Sequence, residues 1–295
     1  MLFGSTAASV PRTARVPVRL QAEGPVLDAR SFHATIDGDD VRIQRVLTPA
    51  DPQMILIVLD LVGDLGAIEP AKEALIAGID KLPPSTYVGL LRAQDGLTVL
   101  TDPGKDRGPA VEAIKNLNTS GRPGLLETLE SVARVADSIA RTSQVRVSVL
   151  FVTDSNVAEY REDFTNPVIN SSDPHDLSRK FPETLIREKM SKLQGIFISR
   201  DTPIHIVHLV NRTDRLNEAY QNGLRQLTEI LVGSAEFCRS YAEIPEAIDR
   251  ALATIASEYS LILAVPDSAP ANLQIQISAG DAPLVYRTRL KLKEK

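Results

Sequence analysis

Apolar and polar residues alternate through the first part of the chain, from about Arg15 to Val46. A period of two is typical of half-buried strands. The pair Asp37-Gly38 separates two of these runs and predicts a tight hairpin, because both residue types tolerate the left-handed backbone of such turns. The first zone therefore predicts antiparallel β structure.

The second zone, from about Met54 to Tyr259, alternates apolar runs with segments whose apolar residues recur every three or four positions. The runs predict buried strands and the wider spacing predicts amphipathic helices. The predicted strands are Met54–Leu59, Val145–Val152 and Ile204–Val210, and the helical spacing covers Ile68–Leu82, Leu125–Ile139, Leu216–Leu231 and Ile244–Ile255. Strands that alternate with helices predict a mostly parallel, Rossmann-like sheet with helices on both faces.

One pair of strands departs from this alternation. The runs Tyr87–Arg92 and Leu97–Thr101 flank Asp95-Gly96, which predicts a second hairpin. Two strands joined by a hairpin are antiparallel, so the sheet should carry one antiparallel edge strand.

After Tyr259 the period of two returns, in runs interrupted by prolines. Strands at the two ends of an α/β domain cannot bury their apolar faces alone. We therefore predict that the terminal segments pair into a small antiparallel β domain, into which the α/β domain is inserted. The predicted parts are an N-terminal β segment at 12–48, the α/β domain at 52–259 and a C-terminal β segment at 260–293.

A polar stretch from Asp154 to Phe181 has no regular pattern. A loop of this length in a compact domain is usually functional or mobile, and this one should overhang the edge where the strands end. His175 lies within it and is expected to be solvated.

Composition narrows the class of protein. The chain has 295 residues, 43% of them hydrophobic, which is enough for a substantial core. Its net charge of −5 argues against nucleic-acid binding, and its apolar runs are far shorter than the ~20 residues of a membrane span. The lone Cys238 excludes an internal disulfide framework and a multi-cysteine zinc site.

Candidate chemistry begins with two aspartates, Asp60 and Asp154, which directly follow predicted buried strands. The carboxyl ends of parallel strands meet at one edge of a sheet, so the two carboxylates predict one shared site. Nucleotide-binding, hydrolase and zinc-protease motifs are absent from the sequence.

Several motifs together resemble the von Willebrand factor type A (VWA) family, and more narrowly the VWA-domain proteins of acidobacteria. They are Ala34-Thr35-Ile36-Asp37-Gly38 before the domain, a first strand ending in Asp60, Gly121–Glu127 before the third helix, Thr153-Asp154 after the fourth strand, and Glu258-Tyr259-Ser260-Leu261 after the last helix. The resemblance covers nearly the whole chain. It implies a metal-ion-dependent adhesion site (MIDAS), which holds Mg²⁺ through an Asp-x-Ser-x-Ser motif, a Thr and a further Asp.

The sequence departs from that ligand pattern. Asp60 and Asp154 match the two family aspartates, but Val62 and Asp64 replace the serines and Pro123 stands where the Thr is expected. Val62 and Pro123 offer no side-chain ligand, so the implied site is degenerate.

The three carboxylates allow two interpretations. Asp60 and Asp154 can cap backbone amides where loops leave the strands. Alternatively, Asp60, Asp64 and Asp154 hold Mg²⁺ with water completing its shell. Three carboxylates would more than neutralise that ion and would repel an acidic partner, whereas without a cation adjacent carboxylates repel and one can take up a proton.

We expect a non-catalytic protein-binding or adhesion module that acts outside the cytoplasm, whether secreted, periplasmic or on the cell surface. Residues 1–15 lack the apolar core of a secretion signal, so we expect any signal peptide to be absent from this sequence. The partner is expected to be a protein, bound without cofactor or cation. The predicted binding rim is Asp60, Val62, Asp64, Pro123, Asp154 and Ser155.

Three alternatives stay open. The first is an adhesion module with a working cation site at the three aspartates. The second is a metal-dependent hydrolase that uses the same carboxylates, disfavoured because no general base or oxyanion donor is evident. The third is a scaffold that acts through the β domain.

Other reactive side chains have plainer interpretations. His205 and His208 are three apart on one strand, so they face opposite sides and cannot share a metal ion. Cys238 is expected to be a buried free thiol. Arg287, Arg289, Lys291 and Lys293 alternate and predict a basic row that guards an edge strand.

Overall fold

The computed structural model describes residues 12–21, 26–157, 160 and 182–292. The strands are β1 (Thr13–Leu20), β2 (Phe32–Ile36), β3 (Asp39–Asp40), β4 (Ile43–Leu47), β5 (Gln53–Asp60), β6 (Thr86–Arg92), β7 (Thr98–Gly104), β8 (Arg146–Thr153), β9 (Ile204–His208), β10 (Ala235–Phe237), β11 (Tyr259–Ala264), β12 (Asn272–Ala279), β13 (Leu284–Tyr286) and β14 (Arg289–Lys291). The helices are α1 (Leu65–Lys81), α2 (Gly108–Lys115), α3 (Leu125–Thr142), α4 (Pro182–Phe197), α5 (Arg215–Ile230) and α6 (Ile244–Ala256).

The central sheet of the described chain has the order β10-β9-β8-β5-β6-β7. Its neighbours run parallel except β7, which is antiparallel to β6 at the edge. Side chains alternate across the central strand β5: Ile55, Ile57 and Leu59 pack with α1, α2 and α6, whereas Leu56 and Val58 pack with α3, α4 and α5. Both faces of the sheet are therefore covered, which explains why its strands are apolar throughout.

The terminal segments form two further sheets, β13-β1-β11-β4 and β14-β12-β2-β3. Strand β1 pairs with β11, and β2 pairs with β12, so each sheet joins the N-terminal part of the chain to the C-terminal part. Their apolar faces share one core, where the rings of Phe32 and Tyr259 lie 5.3 Å apart. The predicted fold class is confirmed: a mostly parallel α/β sheet with one antiparallel edge strand, inserted into an antiparallel β domain.

Both predicted hairpins are present. Asp37 and Gly38 have φ angles of 53° and 93°, and Asp95 and Gly96 have φ angles of 52° and 104°. This left-handed backbone at two successive residues matches the twist of the flanking strands, as expected of Asp-Gly hairpins.

The predicted basic row on the last strand is right for Arg289 and Lys291, which are exposed on the edge strand β14, and wrong for Arg287. The chain divides there into β13 and β14, which belong to different sheets. Arg287, between them, is buried and donates hydrogen bonds to the carbonyl oxygens of Ile198 and Arg200, just beyond α4. Arg289 and Lys291 are exposed, and Lys293 lies outside the described residues.

Two helices, α2 and α4, were not predicted from the sequence. Helix α2 has only 8 residues, and α4 follows the polar stretch whose residues 158, 159 and 161–181, including His175, lie outside the described chain. In α4 the buried residues Ile186, Met190, Leu193 and Phe197 have helical spacing. The sequence therefore contains a signal that predicts this helix.

Two segments connect the β domain to the inserted domain, one between β4 and β5 and the other between α6 and β11. Arg146 contacts both of them. Its buried guanidinium donates to the carbonyl oxygens of Pro49 at 3.2 Å and of Glu258 at 2.7 Å. Gln53 adds a bond of 2.8 Å to the carbonyl oxygen of Ile255. Both connecting segments are thus held by side chains of the central sheet.

Candidate functional site

The carboxylate of Asp60 is fully buried at the end of β5 and is surrounded by donors. Its Oδ1 accepts a hydrogen bond from the Gly124 amide at 2.8 Å, and its Oδ2 accepts from the Leu125 amide at 3.2 Å. The hydroxyls of Thr153 and Tyr160 also donate to Oδ2, at 3.0 and 3.3 Å. Asp60 therefore satisfies the N-terminal amides of α3, where the helix dipole favours a negative charge.

Asp154 likewise accepts hydrogen bonds from backbone amides, in this case those of the loop that follows β5. Its Oδ1 accepts from the Val62 amide at 2.8 Å, and its Oδ2 accepts from the amides of Gly63 and Asp64, both at 2.8 Å. Three successive amides that converge on one carboxylate fix the path of residues 62–64.

Asp64 is the N-cap of α1. Its Oδ1 accepts from the Gly66 amide at 3.0 Å, and its Oδ2 accepts from the Tyr241 hydroxyl at 2.5 Å. The bond to Asp64 raises the pKa of Tyr241, because ionising the phenol would place two negative charges in contact.

A close backbone approach brings the start of α3 to Asp60. A Cβ added to Gly124 would lie 1.7 Å from the carbonyl oxygen of Ala93, so only glycine fits at this position. Pro123 is buried beside it and contributes no donor or ligand. The Gly-containing segment noted in the sequence thus positions the amides that donate hydrogen bonds to Asp60.

A buried layer of hydroxyls lies behind Asp60 and was not predicted from the sequence. The Ser155 Oγ lies 2.7 Å from the Thr153 Oγ1 and accepts from the Tyr160 hydroxyl at 3.2 Å. The Nε2 of His208 lies 2.8 Å from the carbonyl oxygen of Ser155, so this nitrogen carries the proton. These side chains come from three separate strand ends or loops, and only the folded sheet brings them together.

Burial dominates the electrostatics of this layer. It raises the pKa of Asp60, an effect that the backbone amide of Gly124 opposes and the charge of Asp154 strengthens. It lowers the pKa of His208 to about 4, so the imidazole is neutral near pH 7. It also raises the pKa of Tyr160 well above its ordinary value.

The donor set does not fit the Mg²⁺ site that the family resemblance implies. Both carboxylate oxygens of Asp60, Asp64 and Asp154 already accept hydrogen bonds from the chain. Val62 and Pro123 supply no oxygen ligand from their side chains. No group of three or more His, Cys, Asp or Glu residues suited to a metal ion occurs in the described part of the chain.

The predicted rim divides into a buried layer and an exposed edge. Asp60, Pro123, Asp154 and Ser155 are buried and so support the surface rather than form it, whereas Val62 and Asp64 are partly exposed. Leu65 and Tyr241, which the sequence analysis did not select, are 69% and 47% exposed beside them. Partner binding at this rim remains a prediction.

The remaining candidates lie apart from this edge. His205 and His208 face opposite sides of the sheet as predicted: the His205 Nδ1 lies 2.9 Å from the Ser234 Oγ, and its Nε2 lies 2.9 Å from Glu258. Cys238 is a buried free thiol, also as predicted, and burial raises its pKa to about 11.

Comparison with known proteins finds likeness only at the level of structure. No protein-family model matches the chain, and no curated protein matches it. A von Willebrand factor type A protein from Catenulispora acidiphila is similar at 14% identity with a TM-score of 0.49, covering 98% of this chain and 76% of that one.

Two further solved structures show the same level of similarity. The vWF domain of the type V pili tip protein Mfa5 from Porphyromonas gingivalis has 14% identity and a TM-score of 0.47, covering 71% of this chain and 96% of that one. The ArnB paralog VWA2 from Sulfolobus acidocaldarius has 8% identity and a TM-score of 0.45, covering 96% and 76%. At these identities the likeness is one of fold.

The topology itself decides the fold class. The described central sheet has the order β10-β9-β8-β5-β6-β7, with β7 antiparallel at its edge and helices on both faces. The chain therefore has a Rossmann-like α/β fold, consistent with that of von Willebrand factor type A domains, inserted into a two-sheet β domain.

Proposed function

We propose that the chain is a non-catalytic protein-binding module with a degenerate MIDAS, whose binding needs no metal ion. The observation that carries this proposal is the use of the two strand-end carboxylates. Asp60 and Asp154 accept bonds from the amides of Gly124 and Leu125 and of residues 62–64, respectively. A cation would have to share these oxygens with the backbone amides that already donate to them.

The edge of the site has the character of a protein contact. Leu65 and Tyr241 are exposed next to the partly exposed Val62 and Asp64. Aromatic and apolar side chains surrounded by polar groups are typical of the energetically important centre of protein interfaces. The amides fixed by Asp154 hold this edge in one shape, which lowers the entropy cost of binding.

The absence of catalysis is part of the proposal. Ser155 is buried, and the neutral His208 contacts its carbonyl oxygen rather than its hydroxyl. A hydrolase would need a nucleophile or an activated water in reach of such a base. A phosphatase and esterase panel on the purified chain should show no activity above that of a heat-denatured sample.

We further propose that the module acts outside the cytoplasm. This location follows from the family resemblance of the sequence. None of the described helices is long and apolar enough to span a bilayer. Fractionation of the native host with an antibody to this chain should place the protein in the envelope or the medium, and a purely cytoplasmic signal would contradict the location.

Titration with Mn²⁺ tests independence from cations. Mn²⁺ serves as a paramagnetic substitute for Mg²⁺, and its binding is followed by electron paramagnetic resonance and by the melting temperature. The wild-type chain should show no saturable binding at millimolar Mn²⁺ and no melting shift that EDTA reverses. A triple variant, Val62→Ser, Asp64→Ser and Pro123→Thr, restores the family ligand set and is the matched comparison.

The two chains give opposite outcomes under the two interpretations. If the carboxylates serve only as caps, the triple variant alone gains Mn²⁺ binding, or neither chain binds. Saturable binding to the wild type that is lost in Asp154→Asn would contradict the proposal and favour the adhesion module with a working cation site.

A further inference from the structure

A cleft of about 850 Å³ lies on the side of the molecule formed by the outer face of the β13-β1-β11-β4 sheet and the C-terminal end of α3. Its wall includes Ala140 and Gln144 from the end of α3 and the following loop, and Leu290 from β14. Its volume falls within the usual range for small-molecule sites. None of the predicted rim residues lines it.

The charge of this cleft is opposite to that of the whole chain. Its lining carries five cationic side chains, those of Arg12, Arg15, Arg45, Arg141 and Lys291, and one carboxylate, that of Asp201. The chain as a whole has a net charge of −5. Such a local excess of positive charge in a concave site focuses the field on anions.

Among the described lining residues, the five cations of the cleft are only partly balanced by its one carboxylate, Asp201. Arg15 donates to the carbonyl oxygens of Val145 at 2.8 Å and Ser143 at 3.2 Å, and Arg45 donates to the Gln144 Oε1 at 2.5 Å. These acceptors are uncharged. Burial lowers the pKa of Arg15, the charge of Asp201 opposes that change, and the neighbouring charge of Arg45 adds to it.

The strand register explains how the arginines come together. Arg15 on β1 is paired with Ile262 on β11, and Ile262 is paired with Arg45 on β4. Residues in one such row point to the same face of a sheet. The neighbouring Ala14 and Val16 point to the other face, into the β core. Two arginines therefore flank an isoleucine on the face that lines the cleft.

We propose that this cleft binds a small ligand with two or more phosphate groups. A guanidinium presents parallel N–H donors that match two phosphate oxygens, so arginines on either side of an apolar strip suit separate phosphates. The partly exposed Ile262 gives the remainder of the ligand an apolar surface. Such a ligand can be a free polyphosphate compound or the exposed headgroup of a phospholipid.

Isothermal titration of the full chain with sodium tripolyphosphate tests the free-ion form. Sedimentation with vesicles of phosphatidylcholine, with and without cardiolipin, whose headgroup carries two phosphates, tests the headgroup form. Tripolyphosphate should bind with a Kd in the micromolar range, and its affinity should fall as salt is raised, because screening weakens exposed charge pairs. The substitutions Arg45→Gln and Lys291→Gln should each weaken binding roughly tenfold, equivalent to one lost charged contact.

Arg134→Gln is the matched control, since it removes one exposed arginine from α3 outside the cleft and should leave the Kd unchanged. Melting temperatures of all variants confirm that they are folded. Binding of either probe that Arg45→Gln weakens and Arg134→Gln does not supports the proposal and identifies the source of the phosphate. No binding of either probe at millimolar concentration, or equal losses in Arg134→Gln and Arg45→Gln, overturns it.

Discussion

At the scale of single residues, the strand-end aspartates act as internal ligands for the backbone. The carboxylate of Asp154 binds the loop at residues 62–64 through its amides, and Asp60 binds the start of α3. Burial raises the pKa of Asp60, and electrostatic repulsion from Asp154 raises it further. The same side chains that the sequence suggested for metal binding therefore set the geometry of the loops.

Removing Asp154 should destabilise the chain by about 2 kcal/mol, because three amides lose their acceptor. Urea unfolding of Asp154→Ala against the wild type measures this loss. Asp106→Ala is the control, since it removes one exposed carboxylate that accepts from the Gly108 amide and should cost about 1 kcal/mol or less. Equal losses in the two variants would show that Asp154 does not hold the loop.

Replacing His208 should weaken the dependence of the free energy of unfolding on pH between about pH 4 and 6.5. Its folded pKa is about 4 against an ordinary 6.5, so only the unfolded chain takes up the proton between these pH values. A depressed pKa in the folded state means that stability is lost as pH falls from 6.5 towards 4, by about 3 kcal/mol in total.

Urea unfolding at several pH values checks this expectation with His208→Gln, whose amide can still donate to the Ser155 carbonyl oxygen. The difference in unfolding free energy between wild type and variant should shrink as pH falls. His33→Gln removes an exposed imidazole that lies 3.2 Å from Asp40 and controls for the loss of a histidine. A constant difference for His208→Gln across this pH range would contradict the neutral buried imidazole.

The positions of Asp60 and Asp154 in the site could be predicted because each ends an apolar strand of a parallel sheet. Ser155 was also placed at this edge, but its contacts with the hydroxyls of Thr153 and Tyr160 could not be predicted, because Tyr160 lies in a polar loop without periodicity. The exposed Tyr241 likewise has no pattern in the sequence, and its contact with Asp64 is evident only in the folded chain.

At the scale of elements, the boundaries that follow hydrophobic periodicity were predicted well, and the misses have identifiable causes. Helix α2 begins with Gly108-Pro109 and is too short to show more than two repeats of its apolar spacing. The last β run divides into β13 and β14, which belong to different sheets, and the buried Arg287 lies between them. The period of the hydrophobic pattern alone cannot show that one alternating run divides into two strands of different sheets.

The junction around Arg146 should couple the two domains. Arg146→Met keeps much of the side-chain volume but leaves the carbonyl oxygens of Pro49 and Glu258 without this donor. We expect a loss of about 3 kcal/mol, typical of breaking a buried charged hydrogen-bond network.

Differential scanning calorimetry should show the endotherm of Arg146→Met broadening or dividing, since the β domain and the inserted domain lose a shared contact. Lys81→Met is the control, because it removes an exposed ion pair with Asp249 and should change stability by about 0.5 kcal/mol. A single sharp transition with the wild-type enthalpy in Arg146→Met would contradict the coupling.

At the scale of the whole molecule, the site edge and the basic cleft are associated with opposite ends of α3. The N-terminal amides of this helix bind Asp60, whereas its last residues and the loop beyond it line the cleft. The insertion itself was predictable from the change of hydrophobic period, but the cleft was not. Its arginines come from β1 and the residue before it, from β4 and from α3, which are distant in the sequence and are brought together only by the fold.

The insertion also has a mechanical consequence. Strand β1 is hydrogen-bonded to β11 and β13, so tension applied between residues 12 and 292 is borne first by the ladders of the β domain. The inserted domain is attached through two connecting segments, which Arg146 holds next to each other. The applied force therefore does not pass through the inserted domain. The edge around Asp64 and Leu65 would therefore keep its shape while the rest of the protein is stretched.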